Sequence, residues 1–123
     1  MNTVFGVFPK PAPLKPVSQV YDLKTRLDWG EPALTIIDIR DRTLFNAQRI
    51  TGAISMPLRE LVERAKRAIP TQRDIYVYGT TDTEAANAVT LLKQAGYRNV
   101  AQLRGGVAAW RAVGFPVERS GKR

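Results

Sequence analysis

The chain contains no cysteine and no histidine. Those absences exclude a thiolate nucleophile, a disulfide, a Cys/His zinc site, an imidazole base and a Ser-His-Asp triad. Asp, Glu, Lys, Tyr, Ser and Thr are left to carry any chemistry, and neither a metal site nor a cofactor is expected. Long apolar runs are absent too. A membrane-spanning helix needs about 18 consecutive apolar residues, so no transmembrane segment is expected. The apolar stretch at residues 4–8 is too short for the hydrophobic region of a signal peptide and runs straight into prolines. Acidic residues are scarce: 11 Asp and Glu stand against 19 Lys and Arg, a net charge of +8. Such a balance favours anionic partners, whether nucleic acid, a membrane surface or an acidic protein.

With 123 residues, 44% hydrophobic and 24% charged, the chain has the size and composition of one globular domain. Residues 1–16 read as a proline-rich arm. Pro9, Pro11, Pro13 and Pro16 recur with Lys10 and Lys15 between them, which favours extended backbone. Phe5 and Phe8 are the arm's candidate docking anchors. Residues 17–118 read as the domain and 119–123 as a basic tail containing Arg119, Lys122 and Arg123.

Within the domain, strand and helix patterns alternate. Ser18 is the expected N-cap of a first helix through Trp29, with Val20, Leu23 and Leu27 at helical spacing. Gly30, Glu31 and Pro32 turn the chain into an apolar strand at residues 34–38. A short helix at 42–47 and a short strand at 53–56 follow. An amphipathic helix is expected over 59–69, with Leu58, Leu61, Val62, Ala65 and Ile69 on one face and Glu60–Arg64 and Glu63–Arg67 as i,i+4 pairs. Residues 75–78 form a third strand. The helix 82–96 follows, with two adjacent apolar stripes that predict extensive burial. A strand at 100–103 and a last helix from Gly105-Gly106, with Trp110 facing inward, complete the pattern. Alternation of this kind implies a parallel sheet of four or five strands with helices on both faces.

Three stretches, in order, are similar to a single-copy rhodanese domain. The first is Ile37-Asp38-Ile39-Arg40 with Phe45, Ile50, Gly52-Ala53 and Met56-Pro57-Leu58. The second is the strand Asp74-Ile75-Tyr76-Val77-Tyr78, feeding a loop and a helix that ends Ala95-Gly96-Tyr97. The third runs from Val100 to Trp110 and continues to Gly114-Phe115-Pro116-Val117. The resemblance implies an α/β rhodanese-like fold. It also implies where a site would sit. Active members transfer a sulfane sulfur through a cysteine persulfide in a Cys-x-x-x-x-Arg loop after the third strand. Here the cysteine position is Gly79 and the arginine position is Glu84, while Asp82 stands where glycine is common. The family's Gly-His-Ile stretch reads Gln48-Arg49-Ile50, and its usual acidic residue before the Phe is Leu44.

With no nucleophile at Gly79, the resemblance implies a catalytically inactive member acting as a protein-binding or regulatory module, not an enzyme. The candidate surface is Gly79, Thr80, Thr81, Asp82, Thr83 and Glu84, with Arg49 nearby. A second reading of the same loop is compatible with the first: Thr81 and Glu84 fit a capping box, with Thr81 accepting from the Glu84 amide and Glu84 reaching back to the Thr81 amide. Asp38 and Asp41 suggest a magnesium pair only weakly; Asp38 is better placed to close its strand and order the Arg40 loop. The alternative function is a basic module binding nucleic acid or an anionic membrane surface. The expected protein is monomeric, and cytoplasmic or peripheral to a membrane.

Overall fold

The computed structural model describes residues 14–30 and 33–120. The arm residues Phe5 and Phe8, the turn at Glu31 and Pro32, and the tail residues Lys122 and Arg123 lie outside the described residues. In chain order the elements are β1 (Val17–Ser18), α1 (Val20–Asp28), β2 (Leu34–Asp38), α2 (Arg42–Ala47), β3 (Arg49–Ile50), β4 (Ile54–Ser55), α3 (Leu61–Ala68), β5 (Asp74–Tyr78), α4 (Asp82–Gln94), β6 (Val100–Leu103), α5 (Gly106–Ala112) and β7 (Val117–Glu118).

Five strands form one sheet in the order β1-β6-β5-β2-β4, and each neighbouring pair is parallel. Side chains alternate across it with period two. Ile37, Ile75 and Val77 face Leu61 and Ala65 of α3 and Ala88 and Leu92 of α4. Ile36, Tyr76 and Tyr78 face Val20 and Leu23 of α1 and Trp110 of α5. The sheet is therefore covered by helices on both faces, and β5 is its middle strand.

Several local expectations are corrected. Ser18 does not cap α1: it is buried in β1, where its hydroxyl donates to the Lys15 carbonyl oxygen at 2.9 Å. Gln19 is the N-cap, and its amide donates to the Asp22 carboxylate at 2.8 Å. That bond and the nearby Lys15 ammonium hold the Asp22 carboxyl below its ordinary range. The helix expected from residue 59 begins as a 3-10 turn at Leu58–Glu60 and becomes α3 only at Leu61. Its ion pairs form as expected, Arg64–Glu60 at 3.5 Å and Arg67–Glu63 at 3.0 Å. The strand expected over 53–56 contracts to Ile54–Ser55. On α4, Ala85, Ala88 and Leu92 are buried, but Leu91 remains 38% exposed. One of the two stripes thus faces outward in part. The antiparallel pair β3–β7 had no signal in the sequence pattern, because each strand has two residues.

Candidate functional site

β2 and β5 lie side by side and end together, with Asp38 in register with Tyr78. Asp38 is fully buried. Its Oδ1 accepts from the Arg40 amide at 2.9 Å and from Arg40 Nε at 3.0 Å, while Oδ2 accepts from Arg40 Nη2 at 2.7 Å. Nη2 also donates to the Gln48 carbonyl oxygen at 2.6 Å. Burial opposes the Arg40 charge, but its bonds to Asp38 and the attraction of that carboxylate outweigh burial and keep the guanidinium above its ordinary pKa. The Arg40 guanidinium lies 5.6 Å from the Tyr78 ring centroid. The Tyr78 hydroxyl accepts from the Ile50 amide at 3.2 Å, and burial pushes the phenol far above its ordinary pKa. This closed network holds both strand ends beneath the loop that follows β5. Asp38 orders the Arg40 turn, as its position in the sequence suggested, and among the described residues no cluster of acidic side chains is arranged for a metal ion.

The loop itself is tied by its own side chains. Thr81 caps α4 and accepts from the Glu84 amide at 3.1 Å. The reciprocal bond is displaced by one residue from the expected box: Glu84 Oε1 accepts from the Thr80 amide at 3.1 Å, not from Thr81. Asp82 Oδ1 reaches across to accept from the Gly105 amide at 2.9 Å, joining this loop to the start of α5. The acidic residues of this first turn also complement the α4 dipole. An incoming anion would find Thr80, Glu84 and Gly105 amides already bonded and negative charges beside them. At Gly79, an added Cβ would lie 3.1 Å from Ile39 Cδ1 and 3.3 Å from Glu84 Cβ, so a side chain there fits only if Ile39 gives slightly.

Gly105 has φ +79°, and a Cβ on it would fall 2.5 Å from Ala109 Cβ. Left-handed backbone destabilises an L-residue by roughly 1–2 kcal/mol, and the collision adds an overpacking penalty of about 1 kcal/mol or more. The Gly105→Ala protein is expected to unfold at lower urea concentration with an unchanged slope, and a midpoint equal to that of the unaltered chain would refute this.

Beside the loop lies a groove of ≈ 980 Å³ that Thr80 and Glu84 enter from one side. Leu44, Leu58, Val62 and Leu91 supply apolar surface, and charges of both signs line it, Arg40, Arg59 and Lys66 with Asp41, Glu63 and Glu84. The sequence pattern places Leu58 and Val62 on the apolar face of the expected helix, and both lie only half-buried here. Only the exposed Leu44, at the position where the family usually has an acid, hinted at this surface. Arg49 is not part of the groove lining. It sits in β3, donating to the Phe45 carbonyl oxygen at 3.1 Å and to Ser120 Oγ at 3.2 Å, and lies 4.4 Å over the Phe45 ring. Thr83 is exposed on α4 and outside the groove lining.

The family model described as Rhodanese-like domain matches residues 19–113. A protein named Sulfurtransferase from Allochromatium vinosum is 33% identical over 95 residues, which cover 77% of this chain and 87% of that protein. The HTH-type transcriptional regulator Rv0324 of Mycobacterium tuberculosis is 35% identical over 79% of this chain, and the match spans 42% of the regulator's length. Among solved structures, the rhodanese-like domain of the Alr3790 protein from Anabaena sp. superposes with a TM-score of 0.81 at 50% identity, covering 85% of this chain and 80% of that one. Among the described residues no helix is long and apolar enough to cross a membrane.

Proposed function

The chain belongs to the rhodanese-like domain family, and from that premise we propose that it binds a protein partner through residues 79–84 and does not transfer sulfur. The observation that carries this reading is the loop. Gly79 stands where the family's nucleophile would stand, no cysteine occurs elsewhere in the chain, and the neighbouring amides are bonded to Thr81, Asp82 and Glu84. A loop closed on itself in this way is rigid and presents three threonines and two acids to solvent. It lies at the C-terminal end of a sheet strand, where open α/β sheets commonly bind their ligands.

Restoring the thiol is expected to restore nothing. The Gly79→Cys protein should transfer sulfur from thiosulfate to cyanide no faster than the unaltered chain. The carboxylates of Asp82 and Glu84 disfavour both the thiolate and the anionic donor. Turnover clearly above the unaltered chain would show that the loop still works as an anion cradle.

Binding is tested by retention of proteins from nuclease-treated lysate of the source organism at low and moderate salt. Asp82→Asn/Glu84→Gln serves as the comparison, since it keeps acceptor oxygens for Gly105 and Thr80 while removing charge. A discrete protein held at moderate salt and lost with the variant supports the reading. Recovery of nucleic acid or lipid alone, released by salt as phosphate contacts are, would overturn it and leave the basic surface, from the +8 charge, as the functional feature.

A further inference from the structure

We infer that the chain's own proline-rich segment at residues 9–13 packs along the outer face of α1, on the row Tyr21, Thr25 and Trp29. This contact is separate from the loop at residues 79–84 and goes beyond the binding role proposed for it. Tyr21, Thr25 and Trp29 follow one another at i, i+4 and i+8, so they share one side of the helix. That side faces solvent: Tyr21 is 58% and Trp29 81% exposed, and Thr25 between them is exposed as well. Tryptophan is on average a well-buried residue, so an indole this open on an aromatic row marks a surface with room for an occupant. Tyr21 also meets Phe115 edge-on, with ring centroids 5.6 Å apart, which extends the aromatic surface past the helix.

Three observations select the occupant. The first is position. Leu14, the first described residue, packs against the core cluster that contains Val20 and Leu23 of α1. Lys15 Nζ is bound to Asp22 Oδ1 at 3.1 Å. The preceding residues therefore join the domain beside the Tyr21 end of the row. The second is chemistry. Residues 9–13 read Pro-Lys-Pro-Ala-Pro, and proline-rich segments dock on exposed aromatic side chains. The acids of this helix are already paired, Asp22 with Lys15 and Asp28 with Lys24, so the row offers ring contact and not charge. The third is reach. From Tyr21 to Trp29 the helix rises about 12 Å, and four residues of polyproline backbone span about the same distance. A segment tethered so close is present at an effective concentration on the order of millimolar, which favours it over a proline-rich segment of another molecule.

The test uses the full chain. It contains two tryptophans, and Trp110 is fully buried, so acrylamide reads Trp29. Quenching is expected to be about twofold stronger in Pro9→Ser/Pro11→Ser/Pro13→Ser than in the unaltered chain, because a docked segment shields one of the two indole faces. The chain has no cysteine, so Gly6→Cys gives a unique attachment point for a nitroxide spin label. Residue 6 precedes the segment and would lie past the Trp29 end of the row. The label should broaden the Trp29 amide signal more than that of Tyr21, and the triple-serine substitution should abolish this gradient. Equal quenching in the two proteins overturns the inference. So does broadening centred on the junction at Leu14, or on α3 or α4. Broadening that appears when spin-labelled chain is mixed with isotope-labelled chain lacking the nitroxide also overturns it, since the arm of a second copy would then fill the row.

Discussion

Asp38→Ala is expected to lose about 3–5 kcal/mol of stability, because it leaves a buried cation without its counter-charge. Arg40 has 11% side-chain exposure against 0% for Asp38, so water cannot replace the carboxylate well. Four bonds from Arg40 to Asp38 disappear, and the Gln48 carbonyl oxygen is left as the described partner of Nη2. The loss is comparable with the whole stability of a small domain, about 5–15 kcal/mol. A urea titration followed by far-UV circular dichroism measures it. The decisive comparison is Asp38→Ala/Arg40→Met. Removing both charges should recover much of the loss, since the penalty lies in the unpaired ion more than in the absent bond. A double variant as unstable as Asp38→Ala would show that the backbone contact to the Arg40 amide, not the charge, carries the effect. A loss below about 1 kcal/mol would mean the site admits water freely.

Trp110→Ala is expected to destabilise by a similar about 3–5 kcal/mol through cavity formation. Trp110 is fully buried, on the face of the sheet opposite the groove. Its ring meets Phe115 edge-on, with centroids 5.0 Å apart and planes at 73°. Its Nε1 donates to the Pro116 carbonyl oxygen at 2.7 Å. That oxygen also accepts from Thr51 Oγ1 at 2.8 Å, so it keeps a partner when the indole is removed. The loss should therefore come from packing. Trp110→Phe, which keeps much of the ring volume, is expected to lose about half as much or less. Equal thermal midpoints for the Phe and Ala variants would contradict a packing origin.

The strands and helices were legible wherever a periodic pattern was long. Residues 34–38, 74–78 and 82–94 carry enough consecutive apolar or helical positions to declare themselves. Thr81 and Gly96 mark the ends of α4 by chemistry that acts locally, a side-chain cap and a left-handed turn at φ +100°. Short elements were not legible. Val17–Ser18 is a strand because Gln102 and Arg104 donate amides to Pro16 and Ser18, partners more than eighty residues away. Ser18 therefore looked like a helix cap, a role that its local sequence permits equally well.

The absence of a thiol was settled by composition alone, since a residue that is not in the chain cannot be folded into a site. Order of elements, helical coverage of both sheet faces and the position of the loop after β5 also followed from local patterns and resemblance. Two things depended on tertiary structure. One is the destination of each acid: Asp82 bonds Gly105 and Glu84 bonds Thr80, which turns an apparently anion-repelling loop into one already occupied by its own carboxylates. The other is the groove, assembled from the turn after β2, α2, the 3-10 turn at Leu58–Glu60, α3, the loop at Thr80 and α4. Its residues are scattered from Ile39 to Leu91, and each alone reads as ordinary core or ordinary surface. Only the packing of these elements at one face of the sheet brings Leu44 and Leu91 into one groove with charges of both signs, because proximity across the chain is a property of the fold and not of spacing along it.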